Sequence, residues 1–184
     1  VAPLWYHYPA QGFDDITYQP IVGSKLMVVP VLEKDQKQLS IIKPPGRWYE
    51  HRSGEELLKD ENVSVTLSDV FAFFRGGNVT ATFSKIGMTV NDTFKNPVTI
   101  HIALDEHESA YGMIYFDDLQ SEKYKSGEYL KVNVNYSESV INIIPEGKAP
   151  VKHTADTILI YGLKSAPNFI IPGSSVSFDG NIVH

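Results

Sequence analysis

Cysteine is absent from this 184-residue chain, which excludes a disulfide-stapled scaffold and any thiolate metal site. Long apolar runs are also missing: no stretch approaches the about twenty residues that a membrane helix needs, so we expect no membrane insertion. Basic residues are few, with 16 Lys and Arg against 22 Asp and Glu and a net charge of -6. Because such a surface repels phosphate backbones, nucleic acid is not an expected partner.

Short β-type runs punctuated by Gly, Pro, Asn and Asp fill most of the chain, and the 3.6-residue repeat of helices is scarce. The pattern predicts an all-β protein. Residues 26–32 differ because they are continuously apolar, which is typical of a strand buried on both faces in a parallel sheet or barrel. Further strands are predicted at 38–43, 47–51, 63–67, 70–74, 98–104, 111–116, 129–136, 140–144, 157–163 and 175–178, with an edge or corner at Pro167, Pro172 and Gly173.

Four N-x-S/T acceptor sequences, more than chance would supply, begin at Asn62, Asn78, Asn91 and Asn135. None has Pro in the middle position, so we predict that at least one is glycosylated. Glycosylation places a protein in the secretory pathway, whether in the endoplasmic reticulum lumen, in lysosomes or outside the cell. The first residues of the chain lack the pattern of a signal peptide, which, if the protein has one, would precede Val1.

Asp117 and Asp118 are the first candidates for a pair of catalytic carboxylates. Adjacent residues on a strand point to opposite faces, so the two carboxylates are badly placed to act on one bond. We interpret them as turn residues that accept backbone hydrogen bonds. Gly76 and Gly77 are likewise predicted to form a tight turn in which one glycine has a positive φ.

Histidine spacing gives no support for a metal site, since none of the six histidines forms an H-x-x-x-H pair. A nucleophile elbow and a phosphate-binding glycine loop are also missing from the sequence. We therefore predict no catalytic, cofactor-binding or metal-binding residue in this chain. Aromatic side chains remain candidates for stacking on sugar rings, although Trp48 is predicted to be buried. These candidates are Trp48, Tyr49, Tyr111, Tyr115 and Phe116.

Four stretches, in order, resemble the C-terminal third of family-31 glycoside hydrolases. They are PLWYHYP at 3–9; Gln19, Gly23 and KLMVVPVLE at 25–33; PGRWYE at 45–50 continuing to FFRGG at 73–77; and AYGMIYFDD at 110–118. The chain departs from the family pattern at Ala2, at Pro20, at NVT in 78–80 and at Leu119, where the family has Gly. Within the family, residues 96–104 and 110–129 are most similar to members that trim glucose from N-glycans in the endoplasmic reticulum.

The resemblance implies a domain organisation: 1–33 as the end of a catalytic (β/α)8 barrel, 34–92 as a proximal antiparallel β-sandwich and 93–184 as a distal one. It also implies a parent that hydrolyses terminal α-linked glucose with retention, through two carboxylates that lie upstream of Val1. Expected partners are the upstream barrel of the same protein, the parent's oligosaccharide substrate and an accessory subunit. The chain itself would hold no catalytic residue.

Three functions from different classes stay open at this level. A non-catalytic part that supports the barrel predicts a large exposed apolar patch on residues 1–32 when the chain is seen alone, because a barrel fragment cannot cover its own edges. A free-standing carbohydrate-binding module requires an exposed row of aromatic side chains on one sheet face. An adhesion-type sandwich with a protein partner is neither favoured nor opposed by the residues.

Overall fold

The structure is a computed structural model that describes residues 1–148, 153–164 and 182–183. Strands dominate these residues and helices are few and short, which confirms the predicted β-rich class. The chain divides into two compact units, Val1–Gly76 and Gly77–His184. The boundaries predicted at residues 33 and 92 concern the domains of a larger parent, and they stay a prediction.

The first unit contains one short helix and six strands. They are α1 (Leu4–His7), β1 (Ile21–Val22), β2 (Leu26–Pro30), β3 (Gln38–Ile41), β4 (Trp48–Glu50), β5 (Glu61–Ser64) and β6 (Val70–Arg75). One sheet has the order β1-β2-β6-β4, β3 and β5 form a separate hairpin-like pair, and all pairings are antiparallel. Side chains from both sheets, such as Met27, Leu39 and Trp48, join one buried cluster. The unit therefore has a core of its own.

Strand β2 covers most of the apolar run at 26–32, but its pairing differs from that of a parallel barrel strand. It pairs antiparallel with β1 and with β6. Met27 and Val29 are buried, whereas the alternate residues Leu26, Val28 and Pro30 are half-buried. The antiparallel direction of this pairing could not be predicted from the apolar run, because such a run indicates only that the strand is buried. The direction of the partner strand depends on residues far along the chain.

Within its described residues, the second unit contains seven strands and two short helical segments. They are β7 (Asn78–Phe83), α2 (Val90–Thr93), β8 (Val98–Ala103), β9 (Ala110–Phe116), a 3-10 helix (Lys123–Ser126), β10 (Leu130–Ser137), β11 (Val140–Glu146), β12 (Ala155–Tyr161) and β13 (Ile182–Val183). The strands form one sheet in the order β11-β10-β9-β7-β8-β12-β13. Its core contains Val79, Ile102 and Ile160, from strands that follow β9 in the sheet order. It also contains Val134 and Tyr136 of β10, the neighbour of β9 on its other edge.

The prediction of purely antiparallel sheets is wrong for the second unit, because β12 pairs with β8 in parallel. Strand β12 returns to β8 only after the chain has passed through β9, β10 and β11, and such a long crossover allows parallel pairing. Strands β7 and β9 also run parallel, joined at a single pair, Asn78 and Tyr111. Next to that pair a Cβ on Gly112 would collide with the backbone oxygen of Val79, so glycine permits the close approach of the strands.

Most predicted strands are present within two or three residues of their predicted bounds, from β3 through β12. Strand β7 was missed, because its sequence NVTATF carries few large apolar residues and reads as a polar stretch. The predicted turn at Gly76 and Gly77 is confirmed, with φ of 82° at Gly77. The strand predicted at 175–178, and the corner at Pro167, Pro172 and Gly173, lie outside the described residues.

Candidate functional site

The carboxylates of Asp117 and Asp118 hold the loop after β9. Asp117 accepts a hydrogen bond from the backbone N–H of Leu119 at 2.8 Å, and Asp118 accepts from the backbone N–H groups of Gln120 at 3.2 Å and Ser121 at 2.9 Å. Hydrogen bonds from the Ser121 hydroxyl and backbone lower the pKa of Asp118 to about 2. An ionised carboxylate engaged by several donors does not serve as a proton donor, so the predicted turn role is confirmed.

Burial separates the five aromatic candidates. Trp48, Tyr49 and Phe116 are buried in their units and present no surface to a sugar. The expected burial of Trp48 is thus confirmed, and its Nε1 donates to the Pro45 carbonyl at 3.3 Å. Tyr111 and Tyr115 are 57% and 45% exposed, because β9 alternates strictly between the core and solvent.

Tyr111, Met113 and Tyr115 form an exposed row on the outer side of β9. Register places them directly across from three residues of β10, which therefore point to the same side. We call this surface the tyrosine face, and it consists of Tyr111, Met113, Tyr115, Lys131, Asn133 and Asn135. Exposure of an aromatic row could not be read from the sequence, since the alternation of β9 is compatible with either face being buried.

Polar contacts fix the position of the aromatic rings on the tyrosine face. The Tyr111 hydroxyl donates to Oδ1 of Asn133 at 3.2 Å, and the ring of Tyr115 stacks on Tyr129 with centroids 5.6 Å apart. Lys131 forms an ion pair with Glu146 of β11 at 2.8 Å, which raises the pKa of Lys131 and lowers that of Glu146. The charges are thus paired with each other at one end, and the remainder of the tyrosine face is neutral.

The family-like motifs of the first unit support its core. Gln19 is buried and bridges the backbone of Ile42, since its Oε1 accepts from the Ile42 N–H at 3.0 Å while its Nε2 donates to the Ile42 carbonyl. The Arg75 guanidinium lies over the rings of Tyr8 and Trp48, 5.2 and 5.9 Å from their centroids. These contacts organise the packing of the first unit.

Two histidines of the second unit, His101 and His153, have different neighbours. His101 is buried, with Nδ1 2.7 Å from the Tyr161 hydroxyl and Nε2 2.8 Å from Oγ1 of Thr82. Burial lowers the pKa of His153, whose ring stacks on Phe116. Among the residues that the structure describes, no three His, Asp or Glu side chains are arranged to hold a metal ion.

The four acceptor asparagines differ in their surroundings. Asn62 and Asn91 are exposed, on β5 and in α2, and Asn78 is half-buried on β7. Asn135 is exposed on β10 and belongs to the tyrosine face. Whether any of them is glycosylated stays a prediction.

Large apolar side chains are exposed within residues 1–32, although the same segment also contributes to the core. Leu4, Ile21 and Met27 are fully buried. The exposed members are Val1, Trp5, Tyr6, Val22 and Leu32. Apolar side chains of this segment are thus exposed when the chain is taken alone, while their arrangement as one large patch stays a prediction.

Comparison with known proteins identifies the family of these motifs. Residues 1–80 match the model of the glycosyl hydrolase family 31 C-terminal domain. Among curated relatives, the alpha-glucosidase of Schizosaccharomyces pombe is 29% identical over 171 residues, covering 89% of this chain and 17% of the relative. Neutral alpha-glucosidase AB of Dictyostelium discoideum is 26% identical over 146 residues, covering 76% of this chain and 16% of the relative.

Solved structures with the same fold include the glucosidase II alpha subunit. The form bound to Glc1Man2 has a TM-score of 0.77 at 20% identity, covering 98% of this chain and 22% of that structure. The endoplasmic reticulum glucosidase II complex, of the catalytic subunit with the binding domain of the regulatory subunit, has a TM-score of 0.74 at 20% identity, over 98% of this chain and 21% of that one.

The family 31 C-terminal domain thus accounts for residues 1–80, and the relatives named above extend the similarity over most of the chain, which confirms the predicted resemblance. The chain is similar in fold to the endoplasmic reticulum glucosidase II alpha subunit. The chain spans about one sixth of the length of the two curated relatives named above, 17% and 16% respectively. None of the helices within the described residues has the length and apolar character needed to cross a membrane.

Proposed function

We propose that this chain is the non-catalytic C-terminal portion of an α-glucosidase that hydrolyses terminal α-linked glucose, and that it supports the catalytic domain. The observation that carries the proposal is the set of exposed apolar residues within 1–32. Trp5 and Tyr6 in helix α1 are 47% and 66% exposed, while Leu4 beside them is buried in the unit's own core. A helix that buries one residue inward and presents two large aromatic side chains outward is suited to packing against a second domain.

Catalysis in the proposed parent belongs to a part of the protein that this chain does not span. Retaining glycosidases use two carboxylates about 5–5.5 Å apart, one as nucleophile and one as acid and base. In this chain the adjacent pair Asp117 and Asp118 is engaged in the loop after β9. The proposed contribution of the chain is therefore support of the barrel and positioning of its loops.

The finer organisation is part of the same proposal. Residues 1–33 would adjoin the barrel as its last elements, 34–92 would form the proximal sandwich and 93–184 the distal sandwich. The half-buried side of β2 is available for such a contact, and the separate core of each unit suits packed β-layers within that unit.

Location and partners follow from the relatives. Because glucosidase II structures share the fold, we propose a role in N-glycan trimming within the secretory pathway, with glycosylation among Asn62, Asn78, Asn91 and Asn135. One of those structures contains a domain of a regulatory subunit, which makes an accessory subunit a reasonable partner for the parent. Other partners are the upstream barrel and the oligosaccharide substrate.

The test uses the full-length protein that carries this chain. Trp5→Ala and Tyr6→Ala should each lower its free energy of unfolding by about 3–5 kcal/mol if these rings are buried against the barrel. Leu58→Ala is the matched control, since Leu58 is 75% exposed outside the 1–32 segment and should change stability by no more than about 0.5 kcal/mol. Equal, small effects of all three variants would refute the proposed contact.

Activity is measured on the same protein. The full-length enzyme should release glucose from an α-glucoside with retention of configuration, followed by NMR of the anomeric proton. The 184-residue chain alone should release none. Hydrolysis by the chain alone would contradict the non-catalytic assignment.

A free-standing carbohydrate-binding module is the second candidate, and the tyrosine face is the observation that favours it. Titration of the chain with maltose or a glucosylated glycan should then give saturable binding that Tyr111→Ala abolishes. Absence of binding at millimolar sugar would remove this candidate.

A further inference from the structure

Asn135 and Tyr111 are direct cross-strand neighbours on the tyrosine face. Both side chains are exposed, and Asn135 begins the acceptor sequence Asn135-Tyr136-Ser137. The middle residue, Tyr136, is buried on the opposite side of β10, so Asn135 and Ser137 share the outer side. Nδ2 of Asn135 lies 3.4 Å from the hydroxyl oxygen of Ser137.

The other three acceptor asparagines differ from Asn135 either in their own exposure or in the residue across from them. Asn62 pairs with Ser40 across the β3–β5 strands, and its Oδ1 accepts from the Ser40 hydroxyl. Asn78 is half-buried opposite Ala103. Asn91 lies in α2, whose residues are not buried. Asn78 also pairs with Tyr111, from the β7 side, but it is half-buried; of the four, Asn135 alone is itself exposed and has an exposed aromatic side chain directly across from it.

We propose that Asn135 carries an N-linked glycan whose first sugar lies on the ring of Tyr111 and covers the tyrosine face. This inference rests on the secretory location in the proposed function. It adds the site of modification and the occupant of a surface that the chain itself leaves exposed.

The covalent step requires a donor oligosaccharide linked to a lipid diphosphate. Nδ2 of Asn135 forms a bond to C1 of the first sugar, the C1–O bond to the diphosphate breaks, and the lipid diphosphate leaves with the electron pair. One proton is lost from Nδ2. No oxidation or reduction takes place, and Ser137 supplies the hydroxyl that the acceptor sequence needs.

Distances on the sheet suit contact between the sugar and the ring. Cross-strand neighbours have Cβ atoms about 5 Å apart, and diagonal neighbours such as Asn135 and Met113 are about 7–8 Å apart. A pyranose linked to Asn135 therefore reaches both Tyr111 and Met113. The hydrogen bond from Tyr111 to Asn133 fixes the ring before the sugar arrives, so little side-chain entropy is lost on contact.

The chemistry of the tyrosine face favours a neutral sugar. Its one charged residue, Lys131, forms an ion pair with Glu146 and lies at the opposite end of the tyrosine face from Asn135. Aromatic rings offer a flat apolar surface to the C–H groups of a pyranose, and the amides offer donors and acceptors to its hydroxyls.

Tethering decides between an attached and a free sugar. A free oligosaccharide would lose translational and rotational freedom on binding, whereas a sugar attached to Asn135 has an effective concentration in the millimolar range or above. The attached glycan thus occupies the face first. It also follows that this side of β9 and β10 faces solvent in the parent protein.

The test begins with glycopeptide mass spectrometry of the full-length protein made in a eukaryotic secretory host. We expect Asn135 to be occupied. Unfolding in urea is then compared for wild type, Tyr111→Ala, Ser137→Ala and the double variant. Ser137→Ala removes the glycan while retaining Asn135, and Ser64→Ala, which disables the Asn62 acceptor, is the matched control.

Stacking predicts coupling between Tyr111 and the glycan. Tyr111→Ala should raise the unfolding equilibrium constant by about two- to tenfold when the glycan is present, the range of aromatic face contacts, and much less in the Ser137→Ala background. In the Ser64→Ala background the effect of Tyr111→Ala should be unchanged. As a second measurement, enzymatic removal of the glycan from folded wild type should increase binding of a hydrophobic dye.

Three results would overturn the inference. An unoccupied Asn135 would do so, whether or not the other acceptors are occupied; if all four are empty, the secretory location fails too. Equal effects of Tyr111→Ala with and without the glycan would exclude stacking. Tight binding of free maltotriose to the glycosylated protein through Tyr111 would show a different occupant. α-Glucosidase activity, measured separately, reports on the proposed function alone.

Discussion

Leu119 has φ of 55° in the loop after β9, a region of backbone space that glycine adopts without penalty. The family motif has Gly at the corresponding place. Hydrogen bonds from the backbone N–H groups of Leu119, Gln120 and Ser121 to the two preceding aspartates hold the loop in this conformation. Replacing Leu119 by Gly should therefore relieve strain without moving the loop.

The magnitude follows from two opposing terms. A non-glycine residue in the left-handed region costs about 1–2 kcal/mol because its Cβ crowds the following carbonyl. Glycine loses more backbone entropy on folding, which costs about 0.5–1 kcal/mol. The difference leaves Leu119→Gly more stable than Leu119→Ala by about 0.5–1 kcal/mol. In a protein of this size that corresponds to a rise in Tm of about 1–4 °C.

Leu119→Ala is the necessary control because it removes the same exposed side chain but retains a Cβ. Leu119 is 60% exposed, so truncation itself should have a small effect. Thermal unfolding of the three proteins, followed by circular dichroism, measures the difference. A Leu119→Gly variant no more stable than Leu119→Ala would refute the assignment of strain to this residue.

Two further predictions concern pH. The folded-state pKa of Asp118 lies below the ordinary value of 3.8 for an aspartate, at about 2, so its carboxylate stabilises the fold above about pH 4 and loses that contribution as the pH falls towards 2. Asp118→Asn should lower the urea midpoint of unfolding at neutral pH, and the difference in midpoint from wild type should disappear in acid. A difference in midpoint that does not depend on pH would contradict this prediction. Burial lowers the pKa of His153, so the unfolded chain binds the proton more readily and stability falls as the pH drops below 6.5. His153→Phe retains ring contacts with Phe94 and Phe116 and removes a buried Nε2 for which the described residues offer no partner. Between pH 8 and pH 5 this variant should therefore lose less stability than wild type, as measured by urea unfolding. An unchanged dependence of stability on pH would contradict the prediction.

Local chemistry made several features predictable. The turn at Gly77 follows from the freedom of glycine at positive φ, and the loop role of Asp117 and Asp118 follows from side chains that accept nearby backbone hydrogen bonds. Burial of Trp48 follows from a large apolar ring in a short β run. Each depends on a few neighbouring residues, so each is readable without the fold.

Strand partners were not predictable in this way. The antiparallel pairing of β2 with β6 and the parallel pairing of β12 with β8 join residues forty or more positions apart. A strand's composition records how much of it is buried, but its partner's direction is set by the path of the intervening chain. The polar-looking β7 was missed because pairing between β8 and β9, rather than its own composition, makes it a strand.

The sequence by itself determined the family, the β-rich class and the four acceptor asparagines, because motifs and propensities are local properties of the chain. Only the tertiary structure decided which aromatic side chains are exposed, since register selects the outward face of β9 and buries Phe116 while exposing Tyr111. The same register brings Asn135 beside Tyr111, although 24 positions separate them in the chain. Proximity of that kind is created by strand pairing, and no local pattern encodes it.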